Sequence, residues 1–191
     1  RPMRIAGLFR FQKERDMALS LHQAIIPNWL QVLGAVDGLL DKAEGYVADG
    51  KASEKELLET RLIDDMLPLA YQFKSCWTHT HLALTAIREG HFSPDMSPYP
   101  EDFASLRSMV ATARETCEAT SEDELEALAG NDMVFAIGDK FRLDFTVQDF
   151  LLSFSNPNVY FHSATAYDIL RSRGVPIGKR DYEGRLRTRP C

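Results

Sequence analysis

The stretch from Phe145 to Tyr182 constrains the fold of this chain more than any other part of its sequence. Thr146 followed three residues later by Asp149 is the pattern of a capping box, in which side chains satisfy the free amide groups of a first helical turn. The pattern predicts that a helix begins near Val147.

The same stretch carries a proline signal and a stop signal. Asn156-Pro157 favours a kink or a restart with Asn156 as the N-cap, because proline lacks an amide donor and crowds the preceding turn. Gly174, followed by an apolar residue and a proline, is typical of a helix C-terminus. The sequence therefore predicts a long last helix, whose inward face is formed by Phe161, Thr165, Ile169 and Leu170.

Three earlier runs repeat apolar residues every three or four positions, which predicts three more long amphipathic helices. Their stripes are Ile25, Trp29, Val32, Val36, Leu39 and Ala43; Leu69, Phe73, Cys76, Leu84 and Ile87; and Phe103, Leu106, Val110, Ala113 and Cys117. Capping boxes at Ser53 and Ser121 predict two short extra helices. Alternating residues on both sides of Gly138-Asp139 predict a small β-hairpin before the last long helix. The predicted fold class is all-α, a four-helix bundle with short extra helices and this hairpin.

Length and composition indicate one domain. At 191 residues and 45% hydrophobic content, the chain can bury a single sizeable core. It has no apolar run of the ~20 residues that span a bilayer, and the opening residues do not form a signal peptide. Three cysteines without metal-type spacing favour a reducing cytoplasm, and Cys76 and Cys117 are predicted to be inert core thiols.

Charge divides the chain into three regions. Residues 1–16 hold five basic and two acidic side chains, and residues 171–191 hold seven and two, on a chain whose net charge is -6. We interpret 1–16 as a basic N-terminal extension, 17–182 as the bundle domain and 183–191 as a basic C-terminal tail. The acidic body favours tails that lie against protein, with nucleic-acid binding as the less favoured alternative.

Four polar residues are predicted to face the bundle interior. His22 lies on the inner stripe of the first helix, and Gln72 lies near the inner edge of the second. Asn158 and His162 are four residues apart and share one face of the last helix. These four side chains form the predicted ligand pocket, although a lone histidine on an apolar face is more often a hydrogen-bonded core residue.

The spacing of the remaining histidines and the absence of known motifs restrict which metal sites and enzyme classes the chain can contain. His79 and His81 are two apart and point about 200° from one another on a helix, so they cannot share a metal ion. His91 follows a helix stop and is predicted to be solvated. The sequence contains no P-loop, GxGxxG, GxSxG, HExxH or di-iron ExxH motif, which excludes several enzyme classes and leaves the catalytic residues unassigned.

With these features in place, the chain resembles the DinB/YfiT-like superfamily, and more closely an uncharacterised bacterial branch that is a domain of unknown function. The motifs that carry the resemblance are SLHQAIIPNWLQVLGAVDGLLDKA, DDMLPLAYQ and NPNVYFHSATAYDILRSRGVPIGKRDY, within about Ser20 to Gly184. The resemblance implies a divalent-metal site, often for thiol transfer, formed by a helix-two histidine and an HxxxH pair on the last helix. His162 matches the second histidine of that pair, Asn158 replaces the first, and Gln72 takes the helix-two position, so the three-histidine set is incomplete.

Three functions follow as expectations. The first is a polar interior pocket that binds a small molecule, without a tightly bound cofactor. The second is a transferase or hydrolase of the DinB type that depends on zinc, nickel or manganese, with His162 as a metal ligand. The third is a non-catalytic interaction module that works as a homodimer through a helix face. We expect a homodimer and no membrane partner.

Overall fold

A computed structural model describes residues 19–189, and the predicted N-terminal extension 1–16 lies outside them. The helices are α1 (Leu21–Ala48), α2 (Glu54–Leu58), α3 (Leu69–Trp77), α4 (Ala83–Ala86), α5 (Phe103–Ala119), α6 (Glu122–Leu128), α7 (Val147–Asp149), α8 (Asn156–Ser172) and α9 (Lys179–Glu183). A π-helical turn, Thr78–Leu82, joins α3 to α4, and a second, Phe150–Ser155, joins α7 to α8. The strands are β1 (His91–Phe92), β2 (Asp132–Ile137) and β3 (Phe141–Thr146).

The predicted hairpin is confirmed, and one further strand joins it. β2 and β3 pair antiparallel, and β1 pairs parallel with β2 to give a three-stranded sheet in the order β1-β2-β3. The described chain is therefore mostly helical with a small sheet, rather than purely α-helical. β1 was not predicted, because its two residues open a proline-rich loop that has no periodicity.

Helix ends follow the predicted caps. Ser53 and Glu56 form a reciprocal capping box, and Thr146 accepts the amide of Asp149. Gly174 has φ +87°, and the amide of Val175 donates to the carbonyl of Leu170 at 3.1 Å. The predicted helix starts and the last stop are thus produced by local side-chain and backbone hydrogen bonds.

The N-cap predicted at Asn156 was wrong, although α8 does begin at this residue, directly after the second π-turn. The chain stays helical through this residue, whose φ of -60° and ψ of -48° are α-helical. Its side-chain Oδ1 accepts the indole Nε1–H of Trp29 at 3.0 Å instead of capping a helix. The π-turn before Pro157 is wider than an α-turn, so the proline ring fits without a break.

One residue assigned to the inward face of the last helix is exposed. Phe161 is 55% exposed, whereas Val159, His162 and Ala166 are buried. The other three residues of the predicted inward face, Thr165, Ile169 and Leu170, are buried, so the prediction was wrong only at Phe161.

Two contacts set the register of α1 against α8. The bond from Trp29 to Asn156 joins residues 127 apart in sequence, and so does the 2.8 Å bond from the Tyr46 hydroxyl to the carbonyl of Arg173. Equal offsets at both ends show that the two helices run parallel. The core between the helices is closed by wholly buried residues of every long helix, among them Trp29, Leu33, Phe73, Leu106 and Ile169.

The C-terminal segment lies against α1 as far as it is described. The amide of Gln31 donates to the carbonyl of Glu183, and the guanidinium of Arg187 donates to the carbonyl of Pro27 and to Oδ1 of Asn28. A Cβ on Gly184 would lie 3.2 Å from atoms of α1. The predicted contact between the basic tail and the protein body is therefore present up to Arg187.

Gly174 offers a test of the last helix end. We expect Gly174→Ala to lower the free energy of unfolding by about 1–2 kcal/mol, because an L-residue is strained at this positive φ. Gly45 lies exposed inside α1, where nothing within 4 Å would meet a new Cβ. Gly45→Ala is therefore expected to raise that free energy by about 0.5–1 kcal/mol, and urea unfolding of both variants checks the opposite signs.

Candidate functional site

A buried hydrogen bond joins α3 to α8 at the centre of the site. Nδ1 of His162 lies 2.8 Å from Oε1 of Gln72, and Nε2 of Gln72 donates to the carbonyl of Leu67 at 2.8 Å. The second bond fixes the orientation of the amide, so its oxygen must accept from His162. Nδ1 of His162 therefore carries the proton, and Nε2 keeps a lone pair with no partner among residues 19–189.

A second imidazole faces His162. The rings of His79 and His162 have centroids 5.7 Å apart and an interplanar angle of 11°. Nδ1 of His79 is buried and has no hydrogen-bond partner in the described part of the chain. An unpaired buried nitrogen costs about 1–3 kcal/mol, which marks it as a position where a partner from outside the chain would be stabilising.

Burial keeps both imidazoles neutral. Burial, together with the neighbouring His162, lowers the pKa of His79 to about 3. Burial also lowers the pKa of His162 to about 4. At neutral pH each ring therefore presents one N–H and one lone pair, which is the form that binds metal ions.

Asn158 lies one helical turn before His162. Its Nδ2 donates to the carbonyl of Phe154 at 2.8 Å, a carbonyl within the second π-turn. The bond leaves Oδ1 of Asn158 without a partner in the described structure, on the face of α8 that also carries His162. An amide oxygen is therefore available one helical turn from His162.

Both π-turns border this site. His79 lies in the first, and Phe154 of the second packs against the His79 ring with centroids 5.6 Å apart. In the first π-turn, backbone amides do not bond the carbonyls that they would bond in an α-helix. The hydroxyl of Thr80 donates to one such carbonyl, that of Cys76, at 2.6 Å. Single π-turns are frequent at functional sites because they re-aim side chains out of the α-helical pattern.

Aromatic rings enclose the two imidazoles. Phe92 and Phe154 pack beside His79, and Tyr71 and Phe161 meet the edge of His162 at centroid distances of 5.8 Å and 5.2 Å. The apolar surroundings account for the lowered pKa values. Phe161 is exposed, so this wall reaches the surface of the protein.

The structure places His22 away from the other three predicted pocket residues. Its Nε2 lies 3.1 Å from the carbonyl of Thr120, and its backbone amide donates to Glu126. With the α1–α8 offset of 127, His162 lies level with Ala35, about thirteen residues or roughly 20 Å along α1 from His22. Gln72 and His162 are joined by a hydrogen bond, and Asn158 lies one turn before His162 on α8; the role of these residues as a ligand pocket stays a prediction.

The other histidines have separate neighbours. His81 stacks on Trp77, and its Nδ1 lies 2.6 Å from the hydroxyl of Thr116. His79 and His81 thus point to different neighbours, as their spacing predicts. His91 is exposed, at the start of β1. Cys76 and Cys117 are buried, and burial raises the pKa of each thiol to about 12, which keeps both unreactive at neutral pH.

The sequence reasoning missed His79, although a signal was present. His79 lies seven residues after Gln72, which is two helical turns and returns to nearly the same face. The spacing of His79 from His81 shows only that those two side chains lie on different faces, whereas the spacing from Gln72 predicts the inward position.

The described residues offer an incomplete ligand set for a divalent ion. The described chain has no group of three or more histidine, cysteine, aspartate or glutamate side chains that could hold a metal ion. The ring centroids of His79 and His162 are 5.7 Å apart and their planes are nearly parallel, at 11°, so their in-plane lone pairs would meet at one ion only with the two rings side by side in nearly one plane. His79, His162 and Oδ1 of Asn158 are the groups that would hold such an ion.

Residues 21–183 match the family model "Domain of unknown function (DUF1993)". The chain belongs to this family. The DUF1993 match spans the helices, the sheet and every residue of the site described above.

A solved structure of a DinB family member has a similar fold. The crystal structure of a DinB family member protein from Shewanella denitrificans superposes with a TM-score of 0.75 and 26% sequence identity. The match covers 90% of this chain and 96% of that one. Together the two findings show a DinB-like protein of the DUF1993 family.

A search of curated proteins finds no significant match to the chain. Among the helices of residues 19–189, none has the length and apolar character needed to cross a membrane.

Proposed function

We propose that this DinB-like protein is a four-helix bundle that binds a divalent transition-metal ion weakly through His79 and His162, and binds a small molecule at the same place. The observation that carries the proposal is the buried, unpaired Nδ1 of His79 beside a neutral His162. A metal ion is a partner that could use lone pairs of both rings.

The donor set determines the class of metal. Imidazole nitrogens suit zinc, nickel, copper and iron, and a neutral amide oxygen adds a weaker ligand. Without a carboxylate or a third imidazole, binding should be weaker than at a three-histidine site. Coordination positions that the protein does not fill would be taken by water or by the small molecule.

The same donor set also determines the class of small molecule. Two imidazoles and an amide carry no negative charge, so the charge of the ion would be uncompensated in a site lined by aromatic rings. An anionic donor such as a thiolate or a carboxylate would compensate it. When bound, the ion would act as a Lewis acid that lowers the pKa of a coordinated thiol or water. Gln72 holds the His162 ring and fixes its tautomer.

Metal titration of protein purified without an affinity resin tests the proposal. Calorimetry with zinc, nickel and manganese chlorides on chelator-treated protein is expected to give micromolar binding of zinc or nickel. His79→Gln and His162→Gln should each weaken that binding at least about tenfold, because each removes one of two nitrogen donors. His91→Gln, at an exposed histidine outside the site, is the matched control and should bind as the parent does.

A gain of affinity gives an independent test. Asn158→His would supply a third imidazole one turn before His162, and we expect it to tighten zinc binding by about a hundredfold. Equal affinity in the parent, His79→Gln and Asn158→His would contradict the assignment of these ligands.

A second candidate is binding of a small molecule at the same groups without metal. It is favoured because no group of three or more histidine, cysteine, aspartate or glutamate side chains among residues 19–189 could hold a metal ion. A thermal-shift screen in EDTA distinguishes the two, because a ligand that binds the folded state raises its apparent stability by mass action. Hits that persist in EDTA and disappear in His162→Gln would support the metal-free function, whereas hits that require zinc would support the first.

A further inference from the structure

The outer edge of β3 has no partner strand among residues 19–189. The sheet order is β1-β2-β3, so β3 forms one edge. The amide of Val147 donates to the carbonyl of Asn131. With the observed register, this bond shows which residues of β3 make backbone hydrogen bonds to β2 and which do not. Residues 141, 143 and 145 therefore direct their backbone groups to β2, and Arg142, Asp144 and Thr146 direct theirs outward.

The side chains of this edge divide into an apolar face and a charged face. Phe141 and Leu143 lie on one face and are 49% and 38% exposed. Arg142 and Asp144 lie on the other face, where Nη2 of Arg142 is 2.6 Å from the carboxylate of Asp144. A six-residue edge strand with exposed apolar side chains is a template for pairing with another strand.

We propose that two copies of this chain pair through β3, antiparallel, about a two-fold axis between their Leu143 residues. This register places Arg142 opposite the partner's Asp144 and Asp144 opposite the partner's Arg142. On the other face it places Leu143 against the partner's Leu143, and Phe141 beside the partner's Phe145. Opposite charges and apolar pairs directly across strands are each stabilising.

Charge excludes the neighbouring registers. Shifting the axis to Arg142 or to Asp144 places two like charges directly opposite, which is destabilising. Registers that pair odd with even positions mismatch the backbone donors and put the apolar face of one copy beside the charged face of the other. The strand is thus self-complementary in one register, as an isologous dimer requires.

The interface is small, which determines the expected affinity. Six residues at about 3.4 Å each span roughly 20 Å of edge. Such a contact lies at the low end of specific interfaces, so we expect a dissociation constant on the order of 10 μM. The dimer uses a strand edge instead of the helix face expected from the sequence, and it does not depend on the proposed metal site.

Sedimentation velocity of the full chain from about 1 to 300 μM tests the dimer. The parent is expected to shift from monomer to dimer across this range. Asp144→Arg and Arg142→Asp should each stay monomeric, because each places like charges opposite one another in the dimer. Lys55→Glu, which reverses an 80% exposed charge on α2, is the matched control and should dimerise as the parent does.

Mixing the two variants tests the register. A mixture of Asp144→Arg with Arg142→Asp restores opposite charges at both positions, so we expect it to form a heterodimer. The double variant Arg142→Asp/Asp144→Arg should dimerise with itself. Circular dichroism confirms that each variant is folded. A parent that remains monomeric at 300 μM, or single variants that dimerise as the parent does, would overturn the proposal.

Discussion

Lowering the pH from 7 to 4.5 is expected to remove about 5 kcal/mol of unfolding free energy through His79 and His162 together. Burial holds their pKa values at about 3 and about 4 in the folded protein, whereas an unfolded histidine titrates near 6.5. Each unit of difference corresponds to about 1.4 kcal/mol. Two histidines with differences of this size therefore make the fold sensitive to moderate acid.

The direction follows from which state binds the proton. Between about pH 6.5 and pH 4, the unfolded chain takes up a proton at each of these histidines and the folded chain does not. Unfolding is therefore favoured as the pH falls through this window. Above about pH 6.5 both states are neutral at these positions, so the full stability is present.

Urea unfolding at pH 7 and pH 4.5 measures the effect. Carboxylates contribute to acid sensitivity as well, so the test is a comparison with the double variant His79→Gln/His162→Gln. This variant should lose about 5 kcal/mol less than the parent between the two pH values, and His91→Gln should lose as much as the parent does. A double variant with the same pH dependence as the parent would show that the two rings are protonated in the folded state.

Features encoded in local sequence were predictable. The capping hydroxyls of Ser53 and Thr146 and the left-handed Gly174 act within a few residues of the helix ends they define. The hairpin was predictable for the same reason, because Gly138 and the alternation beside it determine a local pairing. These signals need no knowledge of what lies across the bundle.

The site was only partly predictable, because its geometry depends on contacts between distant residues. Gln72 and His162 were placed on inward faces, and the structure joins them across 90 positions of sequence. His79 was missed, since its partner lies on another helix and a π-turn surrounds it. His22 was placed on an inward face, but sequence periodicity does not predict which residues of different helices lie at the same height in the bundle. The His22 ring bonds the carbonyl of Thr120, at a different height from His162.

Lys74 is a second feature that the sequence did not reveal. It is 2% exposed, and its Nζ lies 2.6 Å from the carbonyl of Ser97, 2.9 Å from the Ser97 hydroxyl and 3.0 Å from the carboxylate of Asp95. Its partners lie in the proline-rich loop, more than twenty residues away, where no periodicity predicts a contact. The ammonium group ties this loop to α3.

Replacing Lys74 by methionine is expected to lower the free energy of unfolding by about 3 kcal/mol. Methionine fills similar space but cannot donate, so Asp95 and the loop carbonyls would lose a charged partner, and removal of one member of a buried ion pair costs about 3–5 kcal/mol. Burial acts to raise the pKa of Asp95, but bonds from Ser97 and Lys74 outweigh it and lower that pKa. In Lys74→Met the pKa of Asp95 should therefore rise towards its usual value.

Urea unfolding and hydrogen exchange measure the effect of Lys74→Met on the whole fold and on the loop. Lys51→Met, which removes a half-exposed ion pair with Asp49 at 3.0 Å, is the matched control and should cost less than about 1 kcal/mol. The double variant Lys74→Met/Asp95→Asn should recover part of the loss, because it no longer leaves a carboxylate without its cation. Equal and small effects of Lys74→Met and Lys51→Met would contradict the prediction. They would show that the Lys74 ammonium group does not hold the loop against α3.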